Sequence, residues 1–481
     1  MAQISKEISS KYNWKNKALK ATYKIKKLKQ VVAYNKKQIK ILSSENKDLK
    51  KEIEAKSITT PALNKSLQVS HSLCVILNLN AVVSFRSVPK IIKSFEFEKT
   101  PHFTSIINWT LRYGLGLLKQ VSKLDQPWAA IIDHSIDFGP KKVLVVLRVN
   151  LRLLQEGAAI TLKDCECIGI KIREKVTGEL VALDLKEIFE ISGAPTLIIK
   201  DCDAALNKGC QLWIEQSGIP IPIVPDIGHI GGNALKAEFN NTRRYNLFVK
   251  IITFGASKLR QTPLAFAMPP KLRDKGRFQS IKALSTWAEN MLNIFQDKER
   301  IKEDEDLKKI KKIFTGLVAL KSFIISFSLS ILAINKIMKL LKCEGFSNNS
   351  YNKSIEILKT LPKKSKTYKK LSDWLDEMYK IHNALGLKSI PVSSDILESL
   401  FGKFKYANKR SSTSEMNKAV LLIPTLCGVQ NHERISKAIN LTTHKNLIDW
   451  ELKEVGETIK KKKIAFFAQL KSKKQEEKNT A

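Results

Sequence analysis

Two aspartates that follow apolar segments are the first residues in this chain that could do chemistry. Asp133 comes directly after the apolar run 129–132, and Asp201 comes directly after the strand-like segment 195–200. A carboxylate at the end of a strand buried on both faces costs on the order of several kcal/mol unless a cation compensates it. Asp133 therefore indicates a metal ion or another positive partner, with an ordinary strand-end turn as the alternative.

A third acid, Glu398, stands near the start of a predicted helix. The segment 393–405 reads SSDILESLFGKFK, in which Ser394 and Asp395 are good cap and first-turn residues. Lys405, seven residues after Glu398, faces the same side of that helix. Three carboxylates that converge on one sheet edge can bind two Mg²⁺ or Mn²⁺ ions about 3.5–4 Å apart. Such hard ions prefer ligand sets made only of oxygen.

The elements around the two aspartates follow the order strand, strand, strand, helix, strand, helix, strand. The predicted strands cover residues 129–132, 143–149, 165–174, 195–200 and 219–224, a Gly139-Pro140 turn joins the first two, and the helices cover 179–192 and 204–216. By analogy, this order is that of an α/β, ribonuclease-H-like fold with a mixed five-stranded sheet. In that fold the first and fourth strands are parallel neighbours, so Asp133 and Asp201 emerge side by side. Their mutual repulsion raises their pKa values unless a divalent cation lies between them.

The rest of the chain is helical in pattern and rich in lysine. Apolar residues in the first segment alternate at spacings of four and three, which predicts a coiled coil and at least a homodimer. The predicted organisation is a basic coiled-coil helix at 1–57, a helical DNA-binding region at 62–126, the first part of the core at 127–233, a large all-helical insertion at 234–390, core completion with the Glu398 helix at 391–440, and a basic helical tail at 441–481.

The charge balance points to a polyanionic partner. Lys and Arg number 83 against 46 Asp and Glu, which gives a formal net charge of +37. Nucleic acid is the commonest partner for such a chain, and an anionic membrane is the alternative.

The cysteines and the apolar runs indicate the cellular compartment of the protein. The seven cysteines form no CxxC pair, which argues against a zinc ribbon or a disulfide framework and favours a reducing compartment. The longest apolar run, 322–335, is too short to span a bilayer and predicts a buried helix. We therefore expect a soluble cytoplasmic protein without a membrane partner.

Four strings of this sequence resemble the DDE transposases of bacterial insertion sequences. They are IIDHSIDFGPKKVLVVL, VPDIGHIGGNALK, LRQTPLAFAMPPKLRDKGRFQSIKALSTWAENML and SSDILESLFGKFK, and the resemblance extends over nearly the whole chain. It implies metal-dependent DNA cleavage and strand transfer at the ends of an insertion sequence, with double-stranded DNA as both element end and target. Asp133, Asp201 and Glu398 match the metal-binding triad. The resemblance also implies a bacterial, nucleoid-associated protein.

Several assignments stay open at the level of sequence. The segment IIKDCDAALNKGC lacks the glycine of the Asp-x-Gly-Ser-Asp-like string typical of these transposases, so either Asp201 or Asp203 is the second ligand, and Asp201 is preferred because it follows the strand directly. Asp226 and His229 are candidates for an auxiliary acid or a DNA contact, or for a hydrogen-bonded turn. Basic residues expected to contact DNA, unless they are merely solvated, are Arg260, Lys271, Arg273, Lys275, Arg277, Lys403 and Lys405. Trp287 and Trp374 either stack on a flipped base or pack in the helical core.

Two other classes of protein compete with an active transposase. One is a catalytically inactive, transposase-derived DNA-binding protein that keeps the fold and the basic surface. The other is a coiled-coil scaffold whose basicity is incidental. The scaffold does not explain buried strands that lead into aspartates.

Overall fold

The chain forms two units, residues 1–68 and 69–481, in a computed structural model. The structure describes residues 70–95, 99–138, 141–152, 159–272, 278, 281–408, 416–458 and 460–469, together with parts of the segment 22–47. In the first unit, the described residues are helical, and Leu28, Val32, Ile39 and Leu42 expose large apolar side chains. These residues belong to the predicted coiled-coil seam, and its pairing stays a prediction.

The second unit contains a five-stranded mixed sheet in the order β3-β2-β1-β4-β5. The strands are β1 (Trp128–Phe138), β2 (Lys141–Asn150), β3 (Cys165–Arg173), β4 (Leu197–Lys200) and β5 (Ile223–Pro225). The pairs β1–β2 and β2–β3 are antiparallel, whereas β1–β4 and β4–β5 are parallel. The expected parallel neighbourhood of the first and fourth strands is therefore confirmed.

The first and last strands differ most from their expected bounds. β1 continues through Asp133 as far as Phe138 and pairs with β2 up to Ser135 and again, after a register shift, at Phe138. Asp133 is therefore not at the end of its strand. It lies instead where the parallel pairing with β4 stops, one residue beyond Ile132. β5 is shorter than the expected 219–224 and begins at Ile223, because Pro220 and Pro222 have no N–H group to donate to a neighbouring strand.

Strand alternation sends side chains to two separate cores. Ala130, Ile132 and Ile198 pack on one face against α4 (Gly178–Ser192) and α5 (Ala204–Ser217). Residues at the alternate positions, such as Ile131 and Ile199, join a larger core on the other face. Both faces are buried, as the unbroken apolar runs predict.

Helices supply the remainder of the second unit. The helices before the sheet are α1 (His71–Leu79), α2 (Val88–Ser94) and α3 (Phe103–Lys119). The helices between β5 and residue 395 are α6 (Ile227–Phe239), α7 (Arg243–Leu259), α8 (Lys282–Gln296), α9 (Lys298–Glu303), α10 (Glu305–Ile313), α11 (Gly316–Ala319), α12 (Lys321–Glu344), α13 (Asn348–Leu358) and α14 (Lys366–Leu385). The last group consists of α15 (Asp395–Asn408), α16 (Leu422–Thr425), α17 (His432–Asn440) and α18 (His444–Trp450). Helices between β5 and α15 contribute to the same hydrophobic core as one sheet face. The boundaries of the insertion at 234–390 stay a prediction.

The apolar run 322–335 belongs to a longer helix than the sequence indicated. α12 has 24 residues, and by length and composition it is, within the described part of the chain, the one helix that could cross a membrane. Half of its most apolar window is buried in this protein. Phe323 and Phe327 contribute to that burial, since both pack against the rings of Phe239 and Phe248.

Gly114 allows α3 to pack closely against the backbone at Leu421. A Cβ atom at this position would lie 1.9 Å from the carbonyl oxygen of Leu421, and backbone cannot move aside as a flexible side chain can. Gly114→Ala should therefore lower the free energy of unfolding by about 2–3 kcal/mol in urea titrations. Gly402→Ala is the matched control in α15, because its Cβ would meet nothing within 4 Å. Equal urea midpoints for the two variants would contradict this packing.

Candidate active site

Two aspartates meet at the edge of the sheet where β1 and β4 part. Ile132 and Lys200 are register partners in the parallel pair, and Asp133 and Asp201 are the next residue of each chain segment. Ile131 and Ile199, two residues earlier, both face the larger core. By strand alternation, Asp133 faces the same side of the sheet as Ile131.

Glu398 is brought to this edge by α15. Leu397, Leu400 and Phe404 anchor the helix in the larger core, on the sheet face that carries Ile131. Glu398 lies on the exposed side of α15. Its charge nevertheless acts on Asp133, whose pKa it helps to raise. The three predicted carboxylates therefore share one electrostatic neighbourhood.

Burial and like charges together hold the Asp133 carboxyl in its protonated form. Desolvation is the largest cause and Asp201 the next, and with Glu398 and Asp203 they raise the pKa of Asp133 to about 8, although a backbone hydrogen bond at His134 opposes the shift. A carboxyl group at the edge of a sheet, surrounded by other acids, is an environment in which a cation relieves repulsion.

The pKa of Glu398 is raised as well. The causes are desolvation first, then the charges of Asp395 and Asp226, while His229 and Lys342 lower it. Lys342 on α12 forms an ion pair with Asp395, so a cation from the helical region stands beside the first turn of α15. Sequence reasoning missed this lysine because it lies 53 residues before its partner.

The donor atoms at this edge suit a hard divalent cation, since they are carboxylate oxygens. Among the residues that the structure describes, no three His, Cys, Asp or Glu side chains lie close enough together to form a ready-made metal site. The carboxylates would therefore have to approach one another for three of them to share an ion. The donor chemistry fits Mg²⁺ or Mn²⁺, and the triad stays a prediction.

Asp201 and Asp203 have different surroundings. The Asp203 side chain caps α5 by accepting hydrogen bonds from the backbone N–H groups of Ala205 (2.9 Å) and Leu206 (3.1 Å). Asp201 directly follows β4, and its Oδ1 accepts a hydrogen bond from the N–H of Asp203 at 2.9 Å. The capping role of Asp203 favours Asp201 as the second ligand.

Lys200 is a buried cation that sequence reasoning missed. It is 1 % exposed, and its Nζ donates to the carbonyl oxygen of Asp201 (3.3 Å) and to the side chain of Asn207 on α5. Alternation along β4 puts it on the sheet face opposite to the larger core. Lys200 therefore connects the backbone of Asp201 to α5 and helps to hold Asp201 in position at the end of β4.

Asp226 links two helix starts with one buried carboxylate. It is 1 % exposed and caps α6 by accepting from the N–H of His229 at 2.9 Å. Its other oxygen accepts from the N–H (2.6 Å) and the hydroxyl (3.2 Å) of Ser394, immediately before α15. These contacts favour the hydrogen-bonded turn over an auxiliary acid or a DNA contact for Asp226. The sequence analysis allowed for a hydrogen-bonded turn at Asp226, but it did not predict the partner 168 residues away.

The predicted basic contacts lie on the surface where the structure describes them. Arg260, Lys271, Lys403 and Lys405 are exposed. Arg273, Lys275 and Arg277 lie outside the described residues. Their contacts with DNA stay predictions.

Both tryptophans pack inside the helical region. Trp287 donates from Nε1 to the carbonyl of Ala267 at 3.1 Å and meets the ring of Phe314. Trp374 is buried and donates to the carbonyl of Pro225 at 3.2 Å. Core packing, rather than stacking on a flipped base, explains both side chains.

Comparisons with known proteins identify no family by sequence. No family model matches the chain, and no curated protein matches it. Among solved structures, the chain is similar to a Drosophila P element transposase strand transfer complex, with a TM-score of 0.41 and 13 % identity over 83 % of this chain and 100 % of that one. A similarity of this size assigns no activity or residue role, and it does not support a bacterial insertion-sequence origin.

The raised pKa of Asp133 predicts a specific dependence of stability on pH. The folded chain keeps this proton up to about pH 8, whereas the unfolded chain loses it near the ordinary value of 3.8. The stabilisation is complete below the lower value and is lost as the pH rises through the higher one. Asp133→Asn removes the ionisation, so it should melt several degrees above the wild type at pH 9 and close to it at pH 5. The same difference at both pH values would contradict the shift.

Asp226 is expected to fix the start of α15. Asp226→Ala removes an acceptor of three hydrogen bonds and leaves buried N–H groups unsatisfied, which should lower the free energy of unfolding by about 2–4 kcal/mol. Ser394→Ala removes only the hydroxyl contact and should cost about 1 kcal/mol. Hydrogen exchange at the amide of residue 394 should accelerate in Asp226→Ala alone. Unchanged exchange in that variant would refute the link.

Proposed function

We propose that this chain is a DDE transposase that cuts and joins DNA at the ends of an insertion sequence, with Asp133, Asp201 and Glu398 as its metal-binding carboxylates. One observation carries the proposal. The parallel pairing of β1 and β4 brings Asp133 and Asp201 to one sheet edge, where Asp201 and Glu398 both raise the pKa of Asp133. Acids concentrated in this way destabilise one another, and a bound divalent cation offsets that cost.

The chain's own residues would prepare this edge for a phosphodiester. When bound, Mg²⁺ or Mn²⁺ supplies activation of a water or a 3′-hydroxyl and stabilises the charge that develops on the leaving oxygen. Asp133 would release its proton as the site fills, because a neighbouring cation favours the carboxylate. Lys200 holds the backbone of Asp201, and Asp226 holds the start of the helix that carries Glu398.

Charge and surface residues support DNA as the substrate. The chain carries a net charge of +37, and Lys405 follows Glu398 by two helical turns on the same side of α15. Arg260 and Lys271 are exposed and would contact phosphates of a duplex. Pairing through the segment 1–57 would give a homodimer that holds two element ends, as the heptad seam favours.

A catalytically inactive, transposase-derived DNA-binding protein is the second candidate. The observation in its favour is that, within the described residues, no three potential ligands form a closed metal site. In this alternative the fold and basic surface serve binding alone. Both candidates predict a DNA complex, so cleavage is the measurement that separates them.

Cleavage of a duplex that carries the sequences flanking the reading frame tests the proposal. With Mg²⁺ or Mn²⁺, Asp133→Asn, Asp201→Asn and Glu398→Gln should each cut about 10³-fold more slowly, because the bound ions contribute several kcal/mol to the barrier. Gel-shift affinity for the same duplex should persist in all three variants.

Asp203→Asn is the matched control for Asp201→Asn. Asparagine caps a helix nearly as well as aspartate, so this variant should fold and cut normally. Loss of cutting in Asp203→Asn alone would reassign the second ligand. A wild-type protein that binds the duplex but never cuts it with either ion would refute the transposase and support the inactive derivative.

A further inference from the structure

A large groove lies beside the C-terminal half of the Glu398 helix. Its volume is ≈ 1440 Å³, and α15 contributes Gly402, Lys403, Tyr406 and Ala407 to its lining. The loop after α1, helix α3 and residues 417–430 contribute the other walls. Pockets for one small ligand measure roughly 300–1,000 Å³. The groove therefore suits an extended ligand made of several units.

The charge of the lining favours an anion. Among the described residues it includes Arg86, Lys163 and Lys403 and no Asp or Glu, and all three cations are exposed. None of them belongs to an ion pair in the part of the chain that the structure describes. Their charges are thus available to a polyanion.

Apolar and aromatic groups lie between these cations. Tyr406 and Val429 line the groove and are each 59 % exposed, so both present apolar surface to its interior or rim. The guanidinium of Arg86 lies over the ring of Phe103, 5.3 Å from the centroid. Cations interleaved with aromatic rings are the surface that unpaired nucleic acid recognises, because its phosphates and its base faces are both accessible. A duplex hides its base faces within the stack.

We propose that this groove binds an unpaired DNA strand, with phosphates against Arg86, Lys163 and Lys403 and a base against Tyr406. The inference rests on the proposed function and deepens it. It specifies that the DNA strand that extends away from Asp133, Asp201 and Glu398 is unpaired. Tyr406 follows Glu398 by eight residues, or about 12 Å along the helix. This length corresponds to roughly three to four nucleotides at the stacked spacing of 3.4 Å, and to fewer nucleotides in an extended strand. A strand that ends at the acids would reach the groove within that distance.

Gly402 allows the groove to be altered without repacking the protein. A Cβ atom at this position would meet nothing within 4 Å, so longer side chains extend into open space. Gly402→Glu would add a negative charge beside Lys403. Gly402→Gln has the same size without the charge, and Gly402→Ala adds only a methyl group.

Fluorescence anisotropy with a labelled oligothymidylate and the full chain, without divalent ions, tests the assignment. Gly402→Glu should bind the oligonucleotide at least about tenfold more weakly, whereas Gly402→Gln and Gly402→Ala should bind like the wild type. Lys403→Ala should reduce the slope of log affinity against log salt by about 0.7, the value for one phosphate contact to a single strand. Tyr406→Ser should weaken binding about tenfold and Tyr406→Phe should not, because stacking needs only the ring.

A blunt duplex serves as the second probe, and its affinity should change less than twofold in Gly402→Glu. Equal oligothymidylate affinity in Gly402→Glu and Gly402→Ala, with matching circular dichroism, would overturn the proposal. The proposal would also be overturned if Gly402→Glu changed the sedimentation coefficient of the protein but not its oligothymidylate affinity. The groove would then bind a second protein chain. Asp133→Asn should keep oligothymidylate binding, so failure of the metal site and failure of the groove are separate results.

Discussion

Burial of Asp133 beside other acids at one sheet edge is the constraint on which the candidate site depends. Asp133 lies where the parallel strands part, and burial together with Asp201, Glu398 and Asp203 favours its protonated form. Folding has to hold these groups together against that repulsion. The sheet provides the rigidity, since β1 is central and paired on both sides. Under the proposed function, a divalent cation at this edge would relieve several of these unfavourable contacts at once.

The position of Glu398 depends on contacts far from it in sequence. Asp226 joins the start of α6 to the residue before α15, and Lys342 of α12 pairs with Asp395 in the first turn of α15. The helical region between β5 and α15 therefore does more than separate the strands from the last acid. It supplies buried hydrogen bonds and a cation that orient the Glu398 helix against the sheet edge.

Under the proposed function, the basic surface and the groove beside α15 would divide DNA recognition into two modes. Exposed lysines and arginines would attract a duplex through its phosphates, and such attraction weakens with salt. The groove offers apolar surface in addition to charge, and the unpaired strand proposed to bind there would use both. Helix α15 connects the two, since Glu398 lies near its start and Tyr406 near its end.

Local patterns were enough to determine much of the fold. Apolar runs and alternation predicted the strands and the order of elements, because burial of a strand imposes a two-residue period that can be read along the chain. The same reasoning placed Asp133 and Asp201 directly after apolar runs, and the fold analogy placed those two strands side by side. It did not reveal that β1 continues to Phe138, because the partner strand β2, rather than apolar residues, supports that extension.

Tertiary structure decided the features that join distant residues. Four features arise from residues that are distant in sequence and pack together in the fold. They are the Asp226–Ser394 link, the burial of Lys200, the full length of α12 and the groove beside α15. A sequence records which groups can donate, accept or carry charge. Only the packed chain brings them within the few ångströms over which hydrogen bonds and desolvation act.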